Sequence, residues 1–388
     1  IKADNMDKIF PGGITVTTVI MCVMAVFALI GTIDRIIGNK SGYGEQLENG
    51  VKTVGPLILV MAATYAAAPL LASVLTPIAS PIYTLFGADP AMCAGTVLAV
   101  DMGGYPLAYG MTDDVMNANF SGVILGSTMV AMLVGTLPIA VTYLKDKDKS
   151  IFSYGMLIGI VTVPIGCIAG GLVMGMSFVN IIKNLIPLLI LDVIIAAGLI
   201  FFQKITVKIF SLFASAVTIL IPVLFALAAV QNMTGIRLPV FSDMFTSEDG
   251  GITRFDRGLL ICAQIGIILA GAFPMFAFLS NKLDKPFSKL GDKMGVNKDS
   301  VVGIIANFAN AIAMFNLFDK MDDKGKLINI AGAVSLSYVL GDHLAFVAGV
   351  NGDMMLPMLV TKFTAGISAI ILANLLSGKI LKNRESKA

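Results

Sequence analysis

The stretch 336-LSYVLGDHLAFVAG-349 places Asp342 beside His343, the only histidine in a chain of 388 residues. An acid next to an imidazole suggests proton chemistry. Adjacent residues on an α-helix, however, point about 100° apart. If the segment is helical, Ser335, Tyr338 and Asp342 share a face at spacings i, i+3 and i+7. That stripe is expected to face a polar cavity and contact a ligand. His343 would then lie among Val339, Leu340, Phe346 and Val347, either as a packed neutral imidazole or as a pH-sensing or gating residue.

Three other places carry polar groups in apolar surroundings. Asp101 sits in 98-LAVDMGGYPLA-108, where Gly103 and Gly104 let another backbone or a ligand approach closely. An acid at membrane depth costs on the order of 2.5–3.5 kcal/mol, so a partner or ligand is expected, and unwound carbonyls beside it would suit a cation. Asn307 and Asn310 are three apart on one helix face, and their amides either cap a helix break or bind a ligand's hydroxyl and ammonium. Lys362 follows 356-LPMLVT-361 and reads either as snorkelling to the interface or as the partner of an intramembrane acid, with a pH-sensing or gating role like that of His343. Asp192, in 188-LLILDVIIA-196, has no neighbouring feature that gives it a role.

The four cysteines (Cys22, Cys93, Cys167 and Cys262) are widely spaced within apolar runs, so neither a disulfide framework nor a metal site is expected. No nucleophile elbow, HExxH or Walker loop occurs, and no cofactor is implied. A net charge of +2 gives no support for nucleic-acid binding.

These residues must be positioned by membrane helices. Hydrophobic residues make up 56% of the chain and charged residues only 13%, against roughly 25% charged in soluble domains. The fold class is an all-α polytopic integral membrane protein. Nine segments read as full spans: 14–37, 54–76, 120–144, 151–176, 180–202, 205–230, 258–280, 327–349 and 354–376. The stretches 92–110 and 300–318, interrupted by Asp, Gly and Pro or by Asn, read as broken or re-entrant. If both re-enter and the N-terminus is outside, inner loops hold 20 Lys and Arg against 6 outside; if both cross, the split is 14 against 12. The positive-inside rule selects the re-entrant form.

A repeat underlies this order. Pro69 and Pro81 precede Pro274 and Pro286 by 205 residues, Gly87 and Gly95 precede Gly295 and Gly303 by 208, and Gly126 and Gly135 precede Gly332 and Gly341 by 206. The expected organisation is an N-terminal extension (1–13), a transporter domain (14–376) with inverted repeats at about 51–176 and 256–376, and a basic tail (377–388). Inverted repeats with broken helices meeting near the midplane are the plan of secondary transporters. A channel without conformational gating and an intramembrane enzyme acting on a lipid amine are the alternatives, and the second lacks a catalytic constellation. The Gly- and Ala-rich faces permit a homodimer.

The runs 95-GTVLAVDMGG-104, 121-SGVILGS-127, 158-IGIVTVPIGCIAGG-171, 314-MFNLFDKMDDKGKLIN-329 and 341-GDHLAF-346 resemble the bacterial ethanolamine permease family of ethanolamine utilisation. The resemblance spans about residues 20–376. It implies a carrier in the bacterial cytoplasmic membrane, with ethanolamine as its small-molecule partner or, failing that, another small amine. A desolvated ammonium would need a carboxylate and carbonyl acceptors, and its hydroxyl an amide or hydroxyl.

Overall fold

A computed structural model of the chain describes residues 15–136, 140, 143–247 and 251–385. The expected extension at 1–13 lies outside them. Helices α1 (Val16–Ile36), α2 (Tyr43–Lys52) and α3 (Ala63–Leu85) open the fold, with a π-helical turn at Ile58–Ala62 before α3. A broken segment follows: α4 (Met92–Val97) and α5 (Gly104–Met111). Then come α6 (Val115–Asn119), π-helical turns at Phe120–Leu125 and Ala131–Thr136, and the long helix α7 (Lys149–Val173). Helices α8 (Phe178–Phe201) and α9 (Gln203–Thr234) lead to α10 (Arg254–Met294). A second broken segment, α11 (Lys298–Ala309) and α12 (Ala311–Phe315), precedes α13 (Asp323–Leu336), α14 (Asp342–Val350) and α15 (Met355–Glu385).

Local chemistry sets the ends. Side chains of Thr15, Asp114, Ser177, Thr253, Asn297 and Asp322 accept backbone N–H bonds at the starts of α1, α6, α8, α10, α11 and α13. The glycine-rich run of α7 serves close packing. A Cβ at Gly170 would fall 1.7 Å from Thr361 Oγ1 of α15, and one at Gly159 would fall 2.3 Å from Val334 Cγ2 of α13. Small residues of this kind let membrane helices touch backbone to backbone. On α8 and α9, by contrast, Val193, Ile194, Leu212 and Ile219 are exposed, as lipid-facing positions should be.

Among the described residues, seven helical stretches are long and apolar enough to cross a bilayer. They match seven of the nine expected spans. The other two, 120–144 and 327–349, are not continuous helices: turns interrupt them at 126–128 and 337–341. Residues 137–139, 141 and 142 of the first lie outside the described set. The last helix continues to Glu385, so most of the expected tail belongs to α15.

The helix α10 serves as a ruler for the two membrane faces. Near its start, Arg254 shares a cavity with Tyr109, and Tyr109 donates to Asn119 at 2.9 Å. Asn351 donates to the same Asn119 oxygen at 3.1 Å. At its other end, Lys324 donates to the Met294 carbonyl. Nearby, Lys326 pairs with Asp148 at 2.9 Å and Lys145 with Asp319 at 2.7 Å. Residues 145–148 and 319–326 therefore share one face, and 109–119 share the other with 351. Both broken segments return to the face they enter: Thr112 and Asn117, after the first, donate to Asp89 before it at 2.8 and 3.1 Å, and Lys320 and Lys324, after the second, meet Asn297 and Met294 before it.

Candidate functional site

Each broken segment is tied to the break in the helix that follows it. The Val100 amide donates to the Gly126 carbonyl at 2.9 Å. The Tyr338 and Leu340 amides donate to the Asn307 and Phe308 carbonyls at 3.2 and 2.9 Å. These bonds explain why 120–144 and 327–349 open: backbone groups freed in one break are satisfied by the next, as a low-dielectric interior demands.

The four breaks gather ionisable groups around α15. Lys362, only 1% exposed, donates to the Ser127 carbonyl and lies 3.1 Å from His343 Nδ1. His343 Nε2 faces Asp101 Oδ1 at 3.7 Å, too long for a hydrogen bond. If the Lys362 ammonium donates to Nδ1, the ring's remaining proton sits on Nε2 and points toward Asp101. The Asp101 side chain retains 20% exposure, while that of His343 retains 1%. The Tyr338 ring stacks on His343 with centroids 5.4 Å apart, and its hydroxyl meets Thr136 Oγ1 at 3.0 Å. Asp342, half-buried at the start of α14, lies within electrostatic reach of Asp101.

Several expectations change here. Ser335, Tyr338 and Asp342 do not form one helical stripe, because α13 ends at Leu336 and Tyr338 adopts φ 66°. Ser335 is buried, its hydroxyl has no partner among the described residues, and it lines neither cavity beside the cluster. His343, expected among apolar neighbours, instead joins Asp101 to Lys362. Lys362 does not snorkel; it is the buried centre of the cluster. Asn307 accepts from Ser337 at 2.8 Å, and Asn310 caps α12 by accepting from Ile312 at 2.7 Å. Both amides hold the second break rather than open space. Gly103 has φ 101°, and a Cβ there would meet the Thr64 side chain at 2.8 Å; one at Gly104 would meet the Leu98 carbonyl at 2.3 Å. The two glycines allow the hairpin to turn against α3. Asp192 is buried, and neither carboxylate oxygen has a partner among the described residues.

Two cavities flank the cluster. One of about 350 Å³ is lined by Tyr65, Pro69, Tyr105, Tyr109 and Arg254. The other, of about 440 Å³, is lined by Phe276, Ser280, Asn281, Ile305 and Ala309. Arg254 and Asn281 are 27 residues apart on α10, or about 40 Å of helix, so the cavities lie toward opposite membrane faces. Among the described residues, no group of three or more His, Cys, Asp or Glu is placed to hold a metal ion.

A multi-pass helical protein with broken helices meeting between two cavities belongs to the class of membrane transport proteins. Residues 16–376 match the family model of the ethanolamine utilisation protein EutH, and the chain is a member of that family. It is 39% identical to the "Probable ethanolamine permease EutH" of Listeria monocytogenes, over 96% of this chain and 97% of that protein. It is 36% identical to the protein of the same name from Escherichia coli, over 94% and 96%. The "Uncharacterized protein YxeR" of Bacillus subtilis is 39% identical over 92% and 93%. No solved structure matches the chain.

Proposed function

We propose that this chain is an ethanolamine permease of a bacterial cytoplasmic membrane, a carrier rather than an enzyme, working by alternating access around Asp101. The observation that carries the reading is the position of Asp101. It is a partly exposed carboxylate at a hairpin break, beside a fully buried Lys362–His343 pair and between cavities that lie toward opposite faces. Ethanolamine is largely protonated at neutral pH, and its ammonium needs a charged acceptor once it leaves water. Asp101 supplies that acceptor, with Asp342 as the second carboxylate. Gly103 and Gly104 keep the hairpin close to α3, and Asn307 and Asn310 keep the second break open.

Element order supports two halves of common plan. A long helix, a broken hairpin, an interrupted helix and a second long helix occur in that order at 63–173 and again at 254–385. Because the hairpins return to opposite faces, the halves are inverted, and the hairpins act as the two gates.

Uptake of labelled ethanolamine into proteoliposomes tests this. Asp101→Asn is expected to lower the saturable initial rate at least about tenfold, a loss of about 1.4 kcal/mol or more in binding or translocation, with unchanged elution on size exclusion. Wild-type rates in Asp101→Asn would sink the assignment.

A further inference from the structure

The Lys362 ammonium occupies a position of unusual chemistry. Ser127 lies in the turn at 126–128, and carbonyls of unwound membrane helices are the groups that coordinate co-transported cations in other carriers. Here the Ser127 carbonyl accepts from Lys362. Lys362 sits about 10 Å into α15, counting from Met355, and it is 1% exposed. The groups around it are His343 at 3.1 Å, Asp101 beyond the imidazole, Asp342 on α14 and Tyr338 stacked on the ring.

With both carboxyls ionised, Lys362 charged and His343 neutral, the cluster accommodates one further positive charge, which a single monovalent alkylammonium supplies.

We propose that Lys362 is a tethered replacement for a coupling cation, so that the carrier moves one alkylammonium per cycle without sodium or proton co-transport. The inference rests on the permease reading above. It makes uptake a uniport that carries one positive charge inward and follows the membrane potential. At equilibrium, about 59 mV of inside-negative potential then corresponds to a tenfold accumulation of the cation.

The test uses wild-type protein in proteoliposomes with the potential clamped by potassium and valinomycin. Initial ethanolamine uptake is expected to change less than about twofold when external sodium is replaced by N-methylglucamine, since tenfold would be about 1.4 kcal/mol of coupling. Uptake is expected to rise with inside-negative potential. A sodium requirement would overturn the inference. So would accumulation driven by a pH step at zero potential beyond that of protein-free vesicles. Lys362→Met is expected to lose sodium-independent uptake, with Lys362→Arg as the charge-preserving control for folding. Full sodium-independent transport by Lys362→Met would also overturn it. Absence of saturable ethanolamine uptake by the wild type would count against the permease reading instead. In that case radiolabelled sodium decides: saturable binding to the purified wild-type protein overturns the tethered-cation inference whatever the substrate.

Discussion

The two faces of the protein are closed by contacts of the same plan and opposite chemistry. On one face, Asn119 at the end of α6 meets Asn351 in the connection before α15. On the other, Lys326 in the first turn of α13 meets Asp148 in the connection before α7. Each contact joins the helix after one hairpin to the loop before the other half's last helix. The first is neutral, with Tyr109 and Asn351 both donating to the Asn119 carbonyl oxygen. The second is an ion pair whose side chains are 3% and 0% exposed, with Lys326 over the Phe318 ring at 5.2 Å. One Asp148 oxygen has no partner among the described residues. Neutral amide bonds exchange for water at a net cost of about 1 kcal/mol each, whereas breaking a desolvated ion pair strands a buried charge. The lysine-rich face is thus the harder one to open, and the resting carrier should sample openings toward the amide-closed face more often.

The largest expected effect breaks the ion pair. Lys326→Met leaves Asp148 buried and alone, so a loss of about 3–5 kcal/mol is expected in unfolding of the detergent-solubilised protein. Adding Asp148→Asn should recover most of it. A single variant that melts with the wild type would show that the pair is not desolvated in solution.

A smaller change is expected at the amide closure. Asn119→Ala removes two hydrogen bonds, and a loss of about 1–3 kcal/mol is expected. In a cysteine-free background, Ala68→Cys in the tyrosine-lined cavity should label faster once Asn119 is removed. Ser280→Cys at the opposite cavity should label no faster. Equal acceleration at both sites would erase the asymmetry.

The smallest effect concerns the exposed pair of Lys145 and Asp319, beside the buried one. The hydrogen bond from Lys145 holds the Asp319 carboxyl below its ordinary range. A depressed carboxyl contributes stability above its unfolded pKa of about 3.9 and loses that contribution as pH falls further toward the folded value. Asp319→Asn should therefore have the same small effect at every pH from 5 to 8, and the effect should shrink in high salt. A melting difference that varies across that range would show that another group titrates at this closure.

The two breaks that sequence reading located and the two it missed differ in what opens them. At 92–110 the cause is local: Asp101, Gly103, Gly104 and Pro106 cannot continue an apolar helix without a cost visible in the residues themselves. At 126–128 and 337–341 the residues are apolar, small or hydroxylic and would extend a helix. They open because a hairpin carbonyl or amide, far away in sequence, takes their hydrogen bonds. The same limit applies to Lys362. Its depth is only seven residues from the start of α15, which fits an interfacial lysine as well as a buried one. The Ser127 carbonyl and His343, which hold it inside, come from other segments of the chain. Lysine and arginine counts did find the re-entrant topology, because sidedness is a property of loops that lie in water on either face.

Tyr338 carries a conflict of interests within one residue. Its φ of 66° is a conformation that glycine adopts freely and a tyrosine adopts at a cost, yet its ring lies against His343 and its hydroxyl meets Thr136. Random mutagenesis scored only for heat resistance would be drawn to Tyr338→Gly, and the same substitution would strip the imidazole of its cover. At this position, selection for robustness and selection for transport pull toward different residues.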